Sequence, residues 1–256
     1  MLIVISPAKN LDEKPQKIIS DFTLPDFLED SSILIEALRK FTSAELADLF
    51  EVNPSIAGIN FERFGKWHLP FTPDNAKQAV LLFNGEVYNG LKAKTLLVDD
   101  LLYAQNHLRI LSGLYGILRP LDLIQPYRLE MGIKLKTAKA KDLYQFWGLR
   151  ITEKLNEALQ LAGEPKVLVN LASGEYMRAV NPQKLNARII NIEFMQDNDG
   201  NYKTIVVYTK KARGMMSRFI IRNRLTNPED LKGFDADGYM FNPRLSDHDT
   251  WVFTRR

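Results

Sequence analysis

Leu2 to Ile5 is a short, unbroken apolar and β-branched run that stops at Pro7, and this pattern constrains the chain more than any other. It reads as a buried strand followed by a loop, Ser6-Pro7-Ala8-Lys9. A buried strand needs neighbours, and similar segments recur along the sequence. Val80 to Phe83, Val167 to Leu171, Ile189 to Met195 and Tyr202 to Tyr208 all read as strands. Asp197-Asn198-Asp199-Gly200 joins the last two as a hairpin signal. Gly238 to Phe241 and Thr250 to Phe253 make a closing hairpin. Arg109 to Leu118, with Gly113 and Gly116, fits either a strand ending in a turn or a hairpin between helices.

Helical periodicity fills the intervals. Phe27, Leu28, Leu34, Ile35 and Leu38 recur at helical spacing between Leu24 and Phe41. Thr42-Ser43-Ala44-Glu45 then opens another helix with a capping-box pattern, and Pro54 starts a third. Ser43 to Trp67 therefore reads as two short helices joined by a tight turn. Further helices are expected over Asp99 to Leu108, Asp142 to Leu161 and Ala212 to Leu225, with a short one capped by Thr226-Asn227-Pro228-Glu229. Strands and helices are interspersed without strict alternation, which predicts a mixed α/β (α+β) fold. With 256 residues, 45% of them hydrophobic, the chain can bury one large core, and a single compact domain is expected.

Composition narrows the chemistry. Without cysteine there can be no disulfide, thiolate nucleophile or cysteine-ligated cluster, and a reducing compartment suits such a chain. No run approaches a membrane span, and the N-terminal apolar stretch is too short for a signal peptide, so the cytoplasm is the expected location. His68, His107 and His248 are far apart and show no metal-ligand spacing, so neither a metal nor a cofactor is expected.

The net charge of +3 is modest, but its distribution is uneven. From Gly200 to Pro228 the chain carries Lys203, Lys210, Lys211, Arg213, Arg218, Arg222 and Arg224 and no acidic residue. At about 100° per residue, Lys211, Arg218 and Arg222 share one helix face, while Met216, Phe219 and Ile220 fall on another that can pack inward. Such a stripe suits phosphates, because guanidinium forks bind two oxygens and each neutralised phosphate releases counterions. It equally suits a solvated face whose arginines pair with acids elsewhere. A second basic group contains Arg109, Arg119, Arg128, Lys134, Lys136, Lys139 and Lys141, interleaved with Tyr115, Tyr127 and Tyr144 and diluted by Asp122, Glu130 and Asp142.

Two strand ends carry polar groups that could line a ligand pocket. Ser6 and Lys9 follow the first strand, although no glycine-rich phosphate cradle accompanies them. Asn170, Ser173, Glu175 and Tyr176 cluster at the end of the Val167 strand, where they serve equally well to cap the next helix.

Several longer motifs occur in one order: Leu2-Ile3-Val4-Ile5-Ser6-Pro7-Ala8-Lys9, Ala57-Gly58-Ile59-Asn60, Leu111-Ser112-Gly113-Leu114-Tyr115-Gly116 running on to Arg119-Pro120-Leu121-Asp122, Tyr127-Arg128-Leu129-Glu130-Met131-Gly132, Asn170-Leu171-Ala172-Ser173 and Lys211-Ala212-Arg213-Gly214. Together they resemble the YaaA family of peroxide-stress proteins over essentially the whole chain. The resemblance implies a cytoplasmic protein induced in peroxide stress and associated with low free iron. It also implies a distinctive mixed α/β fold with a positively charged cleft, a helix-hairpin-helix element and affinity for DNA. Carried onto this chain, the cleft corresponds to Lys210, Lys211, Arg213, Arg218 and Arg222, with Arg109, Arg119 and Arg128 as further members. The helix-hairpin-helix corresponds either to Ser43 to Trp67 or to Leu111 to Gly116. Gly174 stands where the family pattern leads one to expect Asp.

Two functions of different class follow as expectations. One is a DNA-binding protective protein, favoured as a monomer, that holds phosphates with little sequence preference. The other is an enzyme acting on a nucleobase or nucleotide-like substrate in a pocket formed by Lys9, Asn170, Ser173, Glu175 and Lys210. Direct iron sequestration is not supported by any visible carboxylate-histidine cluster.

Overall fold

The computed structural model describes residues 1–15 and 18–256. Its strands are β1 (Leu2–Ile5), β2 (Asn10–Leu11), β3 (Lys77–Gln78), β4 (Phe83–Asn84), β5 (Leu108–Ser112), β6 (Gly116–Leu118), β7 (Leu123–Ile124), β8 (Val167–Leu171), β9 (Arg188–Asn198), β10 (Asn201–Lys203), β11 (Met240–Phe241) and β12 (Thr250–Arg255). The main sheet runs β11-β12-β9-β8-β1-β5-β6, with β10 folded back on β9. From β12 to β5 every pairing is parallel, and antiparallel partners close both ends. The fold is thus the expected mixed α/β type.

The unbroken apolar character of Leu2 to Ile5 follows from position. β1 is flanked by β8 and β5, and all four of its residues are buried. Around the sheet lie α1 (Leu28–Leu38), α2 (Ser43–Phe50), α3 (Pro54–Lys66), α4 (Ala79–Leu82), α5 (Glu86–Leu91), α6 (Val98–His107), α7 (Leu143–Trp147), α8 (Arg150–Leu161), α9 (Gly174–Met177) and α10 (Val206–Asn223). The capping box forms as expected, with the Thr42 N–H donating to Glu45 Oε2 at 2.7 Å and the Glu45 N–H to Thr42 Oγ1 at 3.3 Å. Asn53 caps α3 by accepting from the Ile56 N–H, with Pro54 in the first turn.

Three local expectations change, and the open alternative at Arg109 to Leu118 goes to the strand ending in a turn. Val80 to Phe83 is not a strand: Ala79–Leu82 forms one helical turn, and only Phe83–Asn84 pairs, with β2. A four-residue apolar run fits a buried helical turn as well as a strand. Tyr202 to Tyr208 divides, its first part in β10 and its last in α10, which begins at Val206 rather than Ala212. Asp142 to Leu161 is two helices, broken where Gly148 adopts a φ of 53°. Arg109 to Leu118 resolves as a hairpin between strands, β5 with β6. Leu111 to Gly116 therefore cannot supply a helical hairpin, and Ser43 to Trp67 is the segment with a helix-turn-helix outline.

One crossing positions the functional region. A Cβ on Gly90 of α5 would lie 2.0 Å from the Lys211 carbonyl oxygen, and one on Gly214 of α10 would lie 1.8 Å from that of Val87. The two helices therefore touch backbone to backbone, which only glycine permits. Among the described residues, no helix is long and apolar enough to cross a membrane.

Candidate functional site

In an open parallel sheet, ligands collect beyond the carboxyl ends of the strands, where successive crossovers leave in opposite directions. Here the chain passes from β1 to β5 on one side and then returns across β1 to β8. The loops after β1 and β8 meet at that point. The backbone N–H of Ser173 donates to Ser6 Oγ at 2.9 Å, and the Tyr88 hydroxyl donates to the Ser6 carbonyl at 3.2 Å. Pro7 stops β1 and turns the following residues over the sheet end.

A cavity of about 340 Å³ opens there, lined by Ser6 to Asn10, Asn84 to Tyr88, Tyr127 to Glu130, Ser173, Glu175 and Tyr176, and by Lys210 and Arg213 of α10. Its charges are organised around Glu130. Lys9 Nζ forms an ion pair with Glu130 Oε1 at 3.0 Å, and an Arg128 terminal nitrogen donates to the same oxygen at 2.9 Å. The Lys9 side chain is 62% exposed, whereas those of Arg128 and Glu130 are 12% and 13% exposed. Glu175 Oε1 accepts from the Gly132 N–H at 2.9 Å, so this carboxylate also ties down the loop that carries Glu130. Burial raises the phenols of Tyr88, Tyr127 and Tyr176, keeping all three walls neutral. Burial also pulls the Arg213 guanidinium below its ordinary value, with Glu193 acting in the opposite direction.

Three buried side-chain atoms lack a hydrogen-bond partner among the described residues: Arg128 Nε, Glu130 Oε2 and Arg213 Nε. All three belong to side chains of this one cavity. Buried polar groups are normally satisfied, so their concentration here marks the cavity as a place prepared for polar contacts.

A family model described as peroxide stress protein YaaA matches residues 1–245. The chain belongs to that family.

The residues expected to serve this YaaA-family protein are distributed unevenly. Ser6, Lys9, Arg128, Ser173, Glu175, Tyr176, Lys210 and Arg213 converge on the cavity. Lys9 and Lys210, which an enzymatic pocket requires on one surface, do share it. Asn170 does not reach the wall. Its amide donates to Asn191 Oδ1 at 2.8 Å and its oxygen accepts from the Ala172 N–H at 3.0 Å, which turns the chain at the end of β8.

The stripe of Lys211, Arg218 and Arg222 lies apart from the cavity and is interrupted. Lys211 pairs with Asp237 at 3.8 Å, and Arg218 donates to the carbonyls of Leu91 and Lys92 at 3.0 and 3.1 Å, closing the end of α5. Arg222 remains exposed. Met216 and Ile220 are buried as the helix anchor, and Phe219 packs edge-on against Phe234. Arg109 is 8% exposed and donates to the carbonyls of Gln105 and Leu108. Arg119 pairs with Asp122 and Asp26, and these two arginines share a different depression.

Glu130 is the group that sequence reasoning passes over, treating it only as charge dilution. The alternation Tyr127-Arg128-Leu129-Glu130-Met131 is the signal that could reveal it, since in extended chain it sets Arg128 and Glu130 on one side and apolar residues on the other. Observed burial follows that alternation, with Tyr127, Leu129 and Met131 in the core.

Proposed function

We propose that this YaaA-family peroxide-stress protein works in the cytoplasm by binding nucleic acid at the cleft over the ends of β1 and β8. Lys9, Arg128, Lys210 and Arg213 hold phosphate oxygens there, and the bound nucleic acid is shielded from iron-driven damage. The observation that carries this reading is the convergence of four cations, from three separate stretches of sequence, on one cavity. Arg213 adds weight because its Nε is buried without a hydrogen-bond partner among the described residues. An unsatisfied guanidinium nitrogen opposes folding, which marks Arg213 as kept for something other than stability.

The contact does not need the helix pair α2 and α3, whose first helix carries Glu45 and Asp48.

Binding of a short single-stranded DNA, followed by fluorescence anisotropy between about 50 and 200 mM salt, tests the proposal. Affinity is expected to fall steeply with salt. Replacing Lys210 and Arg213 together is expected to flatten the plot of log affinity against log salt by about two contacts. An affinity indifferent to salt, or unchanged in the Lys9→Ala, Lys210→Ala, Arg213→Met triple variant, rejects it.

A further inference from the structure

We infer that the cavity holds one nucleotide unit, with its phosphate on Lys9, Lys210 and Arg213 and an N–H edge of its base on Glu130. This narrows the nucleic-acid reading above and rests on it. A surface that only tracks a backbone needs exposed cations and nothing else. The cavity departs from that in three ways.

It is concave and about 340 Å³ in volume, the size range of small-molecule sites, and a duplex cannot enter it. It contains an acceptor among its cations. Glu130 spends Oε1 on both Lys9 and Arg128 and leaves Oε2 buried and unpartnered among the described residues. A phosphate alone offers nothing to a carboxylate oxygen and is repelled by it, whereas a base edge supplies N–H donors. Finally, the unpartnered atoms are two donors, on Arg128 and Arg213, and one acceptor, on Glu130. Each of these atoms is covered by its neighbours, so a ligand meets it only when the side chain turns toward the cavity, and a nucleotide, with acceptors and N–H donors in one molecule, can then satisfy all three. Tyr88, Tyr127 and Tyr176 provide the apolar wall against which a base can lie.

Lys9 links the two halves. Its side chain is exposed and only tethered to Glu130. A phosphate at the rim draws the ammonium off the carboxylate and frees Glu130 to accept from the base. The same unit can come from a free mononucleotide or from a nucleotide splayed out of a strand, and its chemistry at the site is the same.

Isothermal titration calorimetry with the four ribonucleoside 5′-monophosphates, the matching nucleosides and ribose 5-phosphate tests the inference. At least one monophosphate is expected to bind on the order of ten-fold or more tighter than both its nucleoside, which lacks the phosphate contacts, and ribose 5-phosphate, which lacks the base contact to Glu130. Glu130→Gln is expected to remove about that ten-fold advantage, while ribose 5-phosphate binds at least as tightly as before because the carboxylate that repels it and holds Lys9 is neutralised. Lys210→Ala, at an exposed position that tolerates substitution, is expected to weaken monophosphate and ribose 5-phosphate alike. If every monophosphate binds no better than ribose 5-phosphate, or none binds at all, the inference falls. Duplex and single-stranded DNA titrated with and without saturating monophosphate separate the sources. Displacement of the single strand indicates a splayed nucleotide. Monophosphate binding with no affinity for either DNA leaves the one-nucleotide site and removes the nucleic-acid reading. Salt-dependent DNA binding without monophosphate binding does the reverse.

Discussion

At Arg213 the demands of folding and binding oppose each other. The guanidinium is largely withdrawn from water, and its Nε lacks a partner among the described residues. Arg213→Met keeps the aliphatic packing and removes the unsatisfied group. Urea unfolding is expected to show the variant more stable by about 1 kcal/mol, while its DNA affinity falls. A variant less stable than the parent shows instead that Arg213 is held by favourable contacts. His107 offers a second residue-scale measurement. Its ring stacks on Tyr103 at 3.9 Å, Nδ1 lies 2.9 Å from the Tyr103 carbonyl, and Arg109 and Arg224 add positive charge nearby. Burial, the largest influence, lowers its pKa below the ordinary 6.5. The unfolded chain then binds the proton first as pH falls, so this contribution to stability is complete above 6.5 and is lost between 6.5 and the lower folded value. In unfolding titrations across that window, His107→Phe is expected to show a shallower loss of stability than the parent. Parallel curves exclude the effect. Lys210 and Arg213 are legible in the sequence as part of a basic run. That they, rather than Lys211 and Arg218, face the cavity is not legible, because spacing tells which residues share a face and not which way the face turns.

The orientation of α10 is decided by its crossing with α5. Gly214→Ala places a methyl group 1.8 Å from the Val87 carbonyl oxygen, a backbone atom with no freedom to move aside. The variant is expected to lose on the order of 3 kcal/mol or to fail to fold. Gly65, inside α3, is the control, because a Cβ there meets nothing within 4 Å. Gly65→Ala is expected to gain about 0.5–1 kcal/mol from helix propensity and a less flexible unfolded chain. Thermal unfolding of both variants checks the pair, and equal effects refute the close crossing. Elements with their own end signals are legible from sequence: the Thr42 box, the Asn53-Pro54 start and the Asp197 to Gly200 hairpin all form as read. Elements fixed by tertiary packing are not. Val206, Val207 and Tyr208 have strand propensity yet form the first turn of α10, with their side chains exposed. The packing of later turns on α5 and the sheet outweighs that preference.

Over the whole molecule, the mixed fold class follows from the interspersed runs, but strand order does not, since an apolar run identifies a strand without naming its neighbours. The cavity depends on that order: it exists because β8 returns to pair with β1 and brings Ser173 to Ser6. The same topology sets a gradient of stability. β1 is paired along both edges, buried throughout, and cannot exchange its amides without parting β8 from β5. β10 is three exposed residues paired on one side only. Hydrogen exchange is therefore expected to show β1 and β8 amides opening only with global unfolding, at the free energy that urea unfolding reports. β10 is expected to exchange through cheap local fraying. The loops after β1 and β8 should fall between these extremes and gain protection together when the cleft is occupied, because the Ser6 hydroxyl bonds to both the N–H and the hydroxyl of Ser173 and couples them. If they gain protection independently, or if β1 exchanges as readily as β10, the switch point is not the rigid frame on which the cleft is built.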